Sequence, residues 1–577
     1  MKKSDSNILK NFLNNIYKNL SSNEISFLSK EIEDIFFKKK KNKITKDLWN
    51  QTDFFLITYA DSIKKKNQKN LKTLNYFLNK YCTDFNFIHI LPFFPSSSDD
   101  GFAITDYKRI DNEHGDWEDL KKITSKFKVM IDLVINHCSS SNNLFQNFLN
   151  NNNPGVDYFI FKKKMFNGLS KVVRPRTSKL VKEIKTKMKK GYVWCTFSHD
   201  QVDFNFKNPK VLIYFLKIIK FYLDNGALAL RLDAVAFLWK ELGTNCINLP
   251  QTHSVVRLIR LLFESYSSNA ILITETNIPS EENLSYFGNN NEAHCIYNFS
   301  LAPLLIHSII SGNSFYLKRW SRSMPPAQIG NAYLNFLSTH DGIGMRPLEG
   351  IIPTEELNKF FNTLQRSGAF LSYRSFKNEE NVYEVNTTLL DAFSLTYQGK
   401  DNFKIRRFIL AHEVLFSMEG IPAVYFQNLV GSNNDYRKFK KTKSYRSLNR
   451  KNWDFDILKK KLDSGTSINF KIYKQLLRLI SIRKKQPAFH PNATQFTLQL
   501  SDDFFGIWRQ SIDRSQSIFC ISNLTKYKKK FSLHDINLIS TDKWFDLLKN
   551  RKISNIDSEV LLQPYQSIWI SNKNFEN

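Results

Sequence analysis

Short apolar runs alternate with longer stretches of helical periodicity along most of the chain. Leu228-Ala-Leu-Arg-Leu-Asp-Ala-Val-Ala236 is too short for a buried helix and follows Gly226, which predicts a strand covered on both faces. The same reading predicts a strand at Phe54–Tyr59, a helix over Leu71–Tyr81, a strand at Phe87–Leu91 closed by Pro92, and a strand running from Val129 to Asn136-His137. Asn208-Pro209 supplies a cap and a first-turn proline, and Leu212, Phe215, Ile219 and Tyr222 continue as a helical stripe to Gly226. Further strands are expected at Ile271–Glu275, His294–Tyr297, Tyr333–Ser338 and Ile421–Phe426, and a helix at Phe470–Lys484.

Four of these runs deliver an acid or an imidazole at the carboxyl end, through His137, Asp233, Glu275 and the pair His340-Asp341. Arg231 and Asp233 alternate along their strand and so share a side, where the guanidinium keeps the carboxylate ionised. Alone, that pair reads equally well as a buried ion pair stiffening the core. Four such strand ends together predict an α/β fold, a (β/α)8 TIM barrel with its active site at the carboxyl ends of the strands. Residues 1–50 are expected to form a helical extension whose Ile8, Leu9, Phe12, Ile16 and Leu20 face a larger body. Residues 51–486 hold the barrel, with an inserted domain after the third strand at about 138–206 and a second insertion after the seventh at about 346–392. The first is too long for a simple connection and is expected to fold over the barrel mouth. Residues 487–577 are expected to form a small C-terminal β-sandwich, since Phe496–Ile570 alternates in short β-like pieces.

Composition narrows the class. A chain of 577 residues, 42% hydrophobic and carrying 49 Phe, has material for a large core. No apolar run approaches the roughly 18 residues of a membrane span, and Met1–Lys10 has charge without the apolar core of a secretory signal, so a cytoplasmic protein that does not engage a membrane is expected. Six cysteines without a C-x-x-C pair suggest neither zinc nor a disulfide framework, and no metal or cofactor is expected. The net charge of +29 includes a dense run over Lys38–Lys46. The lysines are spread over the chain with no zinc finger, RNP-type strand or phosphate loop beside them, so nucleic acid is not the expected partner. The charge can still draw small anions such as phosphate.

Asp132-Leu-Val-Ile-Asn-His137, Leu230-Arg-Leu-Asp-Ala234, the strand ending in Glu275, and Ser338-Thr-His-Asp341 resemble, in order, the four signature regions of the α-amylase family of glycoside hydrolases. The resemblance runs from about Phe54 to the C-terminus. Leu91-Pro-Phe-Phe-Pro95, Asp99-Asp-Gly-Phe102 and Arg174-Pro-Arg176 are similar to the sucrose phosphorylase type, whose members phosphorolyse sucrose, glucosylglycerol or glucosylglycerate. It implies a retaining α-glucoside phosphorylase, with an α-glucoside and inorganic phosphate as its small-molecule partners.

Breaking an α-glucosidic bond with retention needs a nucleophilic carboxylate and an acid/base about 5 Å away. Asp233, held anionic by Arg231, is the expected nucleophile, and Glu275, its pKa raised by partial burial, the expected acid/base. Asp341 is the expected third carboxylate, gripping sugar hydroxyls with His137 and His340. The resemblance implies that Asp99 and Arg446 close the glucose pocket, that Phe102 is its stacking platform, and that Arg176 binds phosphate. Asp132 and Asn136 are expected to be supports. On the leaving-group side the chain departs from sucrose phosphorylases. Asn277 stands where they have His, and Glu384, after Tyr383, where they have Gln. Asn277 is more like the glucosylglycerol and glucosylglycerate enzymes, whereas Glu384 is expected to repel a glycerate carboxylate unless a cation intervenes. A hydrolase or transglucosidase with the same carboxylates, and a catalytically silent carbohydrate-binding barrel, are the alternatives.

Overall fold

The computed structural model describes residues 3–36, 48–176, 178–267, 269–376, 379–536, 543–553 and 559–575. The basic run Lys38–Lys46 lies outside them. Eight parallel strands close into a barrel: β1 (Phe55–Thr58), β2 (Phe87–Ile90), β3 (Lys128–Leu133), β4 (Ala227–Leu232), β5 (Ile271–Thr274), β6 (Cys295–Tyr297), β7 (Ala332–Asn335) and β8 (Ile421–Tyr425). Each pairs with its sequence neighbours, and β8 closes on β1. All residues of β1, β2, β5 and β7 are buried, as continuous apolar strands must be when helices cover the outer face. The Asn208 cap and Pro209 do open a helix, Pro209–Asp224, with the Asn208 side chain accepting from Lys210 N.

Most strands are a residue or two shorter than the apolar pattern suggests, and three stop at least three residues early. β3 ends at Leu133, β4 at Leu232 and β7 at Asn335, so Asp233, His340 and Asp341 sit in the loops beyond, and His137 opens a separate short strand, His137–Ser139. Ala234 explains the stop after β4: its φ of 47° turns the chain out of the ladder directly after Asp233.

Both insertions rise from the carboxyl ends of the strands. The first is pinned at its base where His137–Ser139 pairs antiparallel with Gln201–Asp203. Its three-stranded sheet, in the order Phe161–Lys162, Lys190–Trp194, Val181–Lys185, covers a small separate core with Phe166, Leu180 and Trp194. The second contains the helix Thr354–Arg366 and a hairpin of Phe370–Phe376 with Glu379–Asn386. Ile343–Gly344 pairs on that hairpin, placing Glu384 opposite Gly344 at the barrel mouth.

At the C-terminus a six-stranded sheet, from Thr494–Thr497 to Ser567–Ser571, shares a core with the ribbon Lys529–Ser532 and Glu559–Leu562 through Phe519, Ile521, Phe531 and Leu562. At the N-terminus, helices Lys3–Ile16 and Ser22–Phe36 pack on Pro250–Tyr266 and Pro209–Asp224. Of the expected stripe, Leu9 and Ile16 are buried and Phe12 and Leu20 pack half-buried on the core, while Ile8 is exposed and Leu13 and Tyr17 are inside in addition. A residue four beyond Leu9 shares its face more closely than the residue before it does. The six cysteines are free and buried, and no described helix is long and apolar enough to cross a membrane.

Candidate active site

At the carboxyl ends of the strands lies a cavity lined by Asp233, Glu275 and Asp341. Arg231 lies beneath it. Its Nη1 contacts an oxygen of Asp132 and lies 2.9 Å from Asp233 Oδ1, and its Nη2 lies 3.7 Å from Glu275 Oε2. One guanidinium is thus shared by three buried carboxylates. Asp132 is also bound by His89 Nε2 at 2.7 Å. Burial would push the Asp132 carboxyl up, but Arg231 and His89 outweigh it and bring it down to about 2.

The expectation that Arg231 simply keeps Asp233 ionised needs correcting. Burial pushes the Asp233 carboxyl well up, Arg231 opposes it only in part, and the neighbouring Glu275 pushes the same way as burial. Burial likewise raises Glu275, against Arg231 and the Ala234 N–H, which donates to Glu275 Oε2 at 3.0 Å. Burial thus raises both acids, and a proton on one relieves its repulsion of the other. Arg231 reaches Asp233 at hydrogen-bond distance and Glu275 only at 3.7 Å, so the anion is favoured on Asp233 and the proton on Glu275. Asp341 differs. Burial would raise it, but Arg446, His340, Arg450 and Arg231 hold its carboxyl well below the usual range.

Asp99, Phe102 and His137 form one wall of the cavity with Gln201. Asp99, Asp100 and Gly101 take φ values of 55°, 46° and 110°, a run of left-handed backbone. At Gly101 a Cβ would meet Pro92 O at 2.7 Å, so glycine is required. This turn lays Phe102 flat on His340, ring centroids 5.0 Å apart. Gln201, which sequence reasoning missed, donates to Asp99 Oδ2 at 3.1 Å and lies 3.1 Å from His137 Nε2. Burial brings His137 down to about 4 and His340 well below its usual value, so both imidazoles are neutral at pH 7.

On the opposite wall, Arg446 Nη1 lies 2.6 Å from Asp341 Oδ1, and its Nε donates to Glu384 Oε2 at 3.2 Å while Nη2 holds the other Glu384 oxygen. Glu384 is therefore not the bare negative charge expected from the sequence. Its neutralising partner is Arg446, 62 positions away. Arg176 reaches the cavity from the first insertion, its Cζ 5.9 Å from the centre of the Tyr383 ring, and makes no ion pair with a described residue. Asn277 lines the same side, its Oδ1 buried without a partner. Behind the wall that holds His340, Arg450 binds Asp100 and donates from Nε to His340 O at 2.6 Å. It lines a second chamber of about 650 Å³ together with Tyr59, Asp61 and His114.

Asn136 is a support built around a lysine. Lys240 Nζ lies 2.6 Å from Asp203 Oδ2 and donates to Asn136 Oδ1, and Asn136 Nδ2 reaches both Asp203 at 3.1 Å and His137 Nδ1 at 3.3 Å. No described group of His, Cys, Asp and Glu could hold a metal ion. Lys240→Met should lower stability by about 3–5 kcal/mol in denaturant unfolding, because Asp203 stays buried without its counter-charge. A loss below about 1 kcal/mol would show that the ammonium is not the partner of that carboxylate.

A family profile described as "Alpha amylase, catalytic domain" matches residues 71–342. The glucosylglycerate phosphorylase of Spirochaeta thermophila is 38% identical over 482 residues, 83% of this chain and 82% of that protein. The glucosylglycerate phosphorylase of Escherichia coli is 35% identical over 529 residues, covering 90% and 92%. Among solved structures, sucrose 6F-phosphate phosphorylase from Thermoanaerobacter thermosaccharolyticum superposes with a TM-score of 0.72 at 26% identity, over 89% of this chain and 98% of that one.

Proposed function

The chain belongs to the α-amylase family of glycoside hydrolases, and on that premise we propose that it is a retaining phosphorylase that cleaves glucosylglycerate with phosphate. Asp233 attacks the anomeric carbon while Glu275 gives its proton to the departing glycerate oxygen, leaving a glucosyl ester on Asp233. A phosphate oxygen then attacks the same carbon, its proton passes to Glu275, and Asp233 leaves as carboxylate. Two displacements at one carbon give α-glucose 1-phosphate and restore both acids. Asp341, with the neutral His137 and His340, grips the glucose hydroxyls, Phe102 supports the ring, and Asp99 and Arg446 close the pocket. Arg176 is the phosphate ligand, its fork matching two phosphate oxygens. We assign the reaction to the cytoplasm, where six unpaired cysteines persist and inorganic phosphate is at hand.

The observation that carries the substrate is the Glu384–Arg446 pair. It offsets part of the charge that would repel glycerate, since Arg446 also serves Asp341, and leaves Arg176 free of an ion pair with a described residue at the cavity. The test offers glucosylglycerate, glucosylglycerol and sucrose, with and without phosphate, and follows sugar phosphate against free glucose by NMR. Glucosylglycerate should be consumed fastest, and only with phosphate should α-glucose 1-phosphate accumulate. Arg176→Ala should depress phosphorolysis at least about tenfold more than hydrolysis. Free glucose as the main product of every cleaved donor, indifferent to phosphate, would replace this reading with a hydrolase.

A further inference from the structure

Arg346 is a charge to which the steps above give no task. It opens the short turn Arg346–Leu348, just after the Ile343–Gly344 strand that pairs with the hairpin of the second insertion. Its Nη1 donates to the backbone carbonyl of Asn277 at 3.3 Å, and its Nε is buried with no hydrogen-bond partner. Two acids in its neighbourhood are engaged elsewhere, Glu349 by Arg374 Nη2 at 2.6 Å and Glu282 by Asn248. Burial, and next the charge of Arg374, push the Arg346 guanidinium down, against the pull of Tyr383, Glu349 and Glu282. Tyr383 is within its electrostatic reach, and Arg176 stands over that same ring.

The other cations of the site are committed. Arg231 serves Asp132 and Asp233, Arg446 serves Asp341 and Glu384, and Arg450 serves Asp100. Arg176 lines the cavity and Arg346 lies against Asn277 in its wall; neither makes an ion pair with a described residue, and the proposed reaction brings two anions to this side, phosphate and glycerate. Gly344 and Asn277 line the cavity side by side, a Cβ at residue 344 falling 2.7 Å from Asn277 Nδ2, and Arg346 lies against Asn277 through its bond to that residue's carbonyl.

We propose that Arg346 reads the carboxylate of the glycerate leaving group, while the unpartnered Asn277 Oδ1 accepts a hydrogen bond from a glycerate hydroxyl. A guanidinium with Nε and an Nη open matches a carboxylate in paired, charge-assisted hydrogen bonds. Glycerol or fructose offers no anion to pair with it, so the residue discriminates by charge. This inference rests on the glucosylglycerate reading.

The test measures kcat and KM separately for wild type and Arg346→Gln on glucosylglycerate and on glucosylglycerol, both with saturating phosphate. The variant should lose at least about a hundredfold in kcat/KM on glucosylglycerate, chiefly through KM, and at least about tenfold less on glucosylglycerol. Arg346→Lys should recover part of the selective loss. Equal losses on both donors would reduce Arg346 to a brace for the Asn277 backbone, and no loss on glucosylglycerate would remove it from the subsite. Either result overturns the inference. Should Arg346→Gln not fold, Arg346→Lys is read on the same two donors, with selective loss in support and parallel loss against. A wild type that phosphorolyses glucosylglycerol but not glucosylglycerate overturns the substrate reading and this inference together. An active wild type with an unselective variant overturns this inference alone.

Discussion

Asp233→Asn is expected to cut turnover at least about a thousandfold while the protein remains folded, as for an essential member of a catalytic unit. The amide is nearly isosteric with the carboxylate but is a far weaker nucleophile towards the anomeric carbon. The fold should tolerate the change because Asp233 is one of three acids competing for Arg231. Removing one leaves the guanidinium still paired with Asp132 and within 3.7 Å of Glu275 Oε2. Steady-state turnover with phosphate, read beside a thermal unfolding curve, separates lost chemistry from lost structure. Near wild-type turnover in a folded Asp233→Asn protein would take Asp233 out of the nucleophile's role.

Glu275→Gln should show a loss that depends on the leaving group. General acid catalysis contributes about 10²–10⁴-fold, and it matters most where the departing oxygen is a poor leaving group. On glucosylglycerate the full loss is expected. On α-glucosyl fluoride, whose fluoride needs little protonation, the first step should fall much less. The Ala234 N–H that donates to Glu275 can serve the amide oxygen of Gln equally well, so the side chain keeps its position. The readout is the ratio of the two losses in single-turnover kinetics. Equal losses on both donors would assign the proton to another group.

The barrel could be read in the sequence because its strands are buried on both faces and announce themselves as local apolar runs. The three carboxylates were legible for a related reason, since charge at the end of such a run has no place in a core. The supports were not. Asp100 and Arg450 are 350 positions apart, Lys240 and Asn136 104 apart, and Glu384 and Arg446 62 apart. No periodicity links partners that only the closed barrel and its insertions bring together. Glu384 shows the consequence most directly: read alone it is a repulsive charge, and only the folded chain supplies its guanidinium. The ends of β3, β4 and β7 were overrun because apolar residues continue past the last ladder bond, where packing beneath the loops rather than strand pairing holds them.

The ion pairs Asp341–Arg446 and Asp100–Arg450 stand between the catalytic cavity and the chamber behind it. On the proposed reading these pairs close off the glucose end, so a polysaccharide would not thread past them and the protein would act on one terminal glucosyl unit at a time. Phosphate would then enter where glycerate leaves, and the two anions would take turns. Double-reciprocal plots at several phosphate concentrations should run parallel, and a surplus of either anion should slow the enzyme by blocking the other's passage.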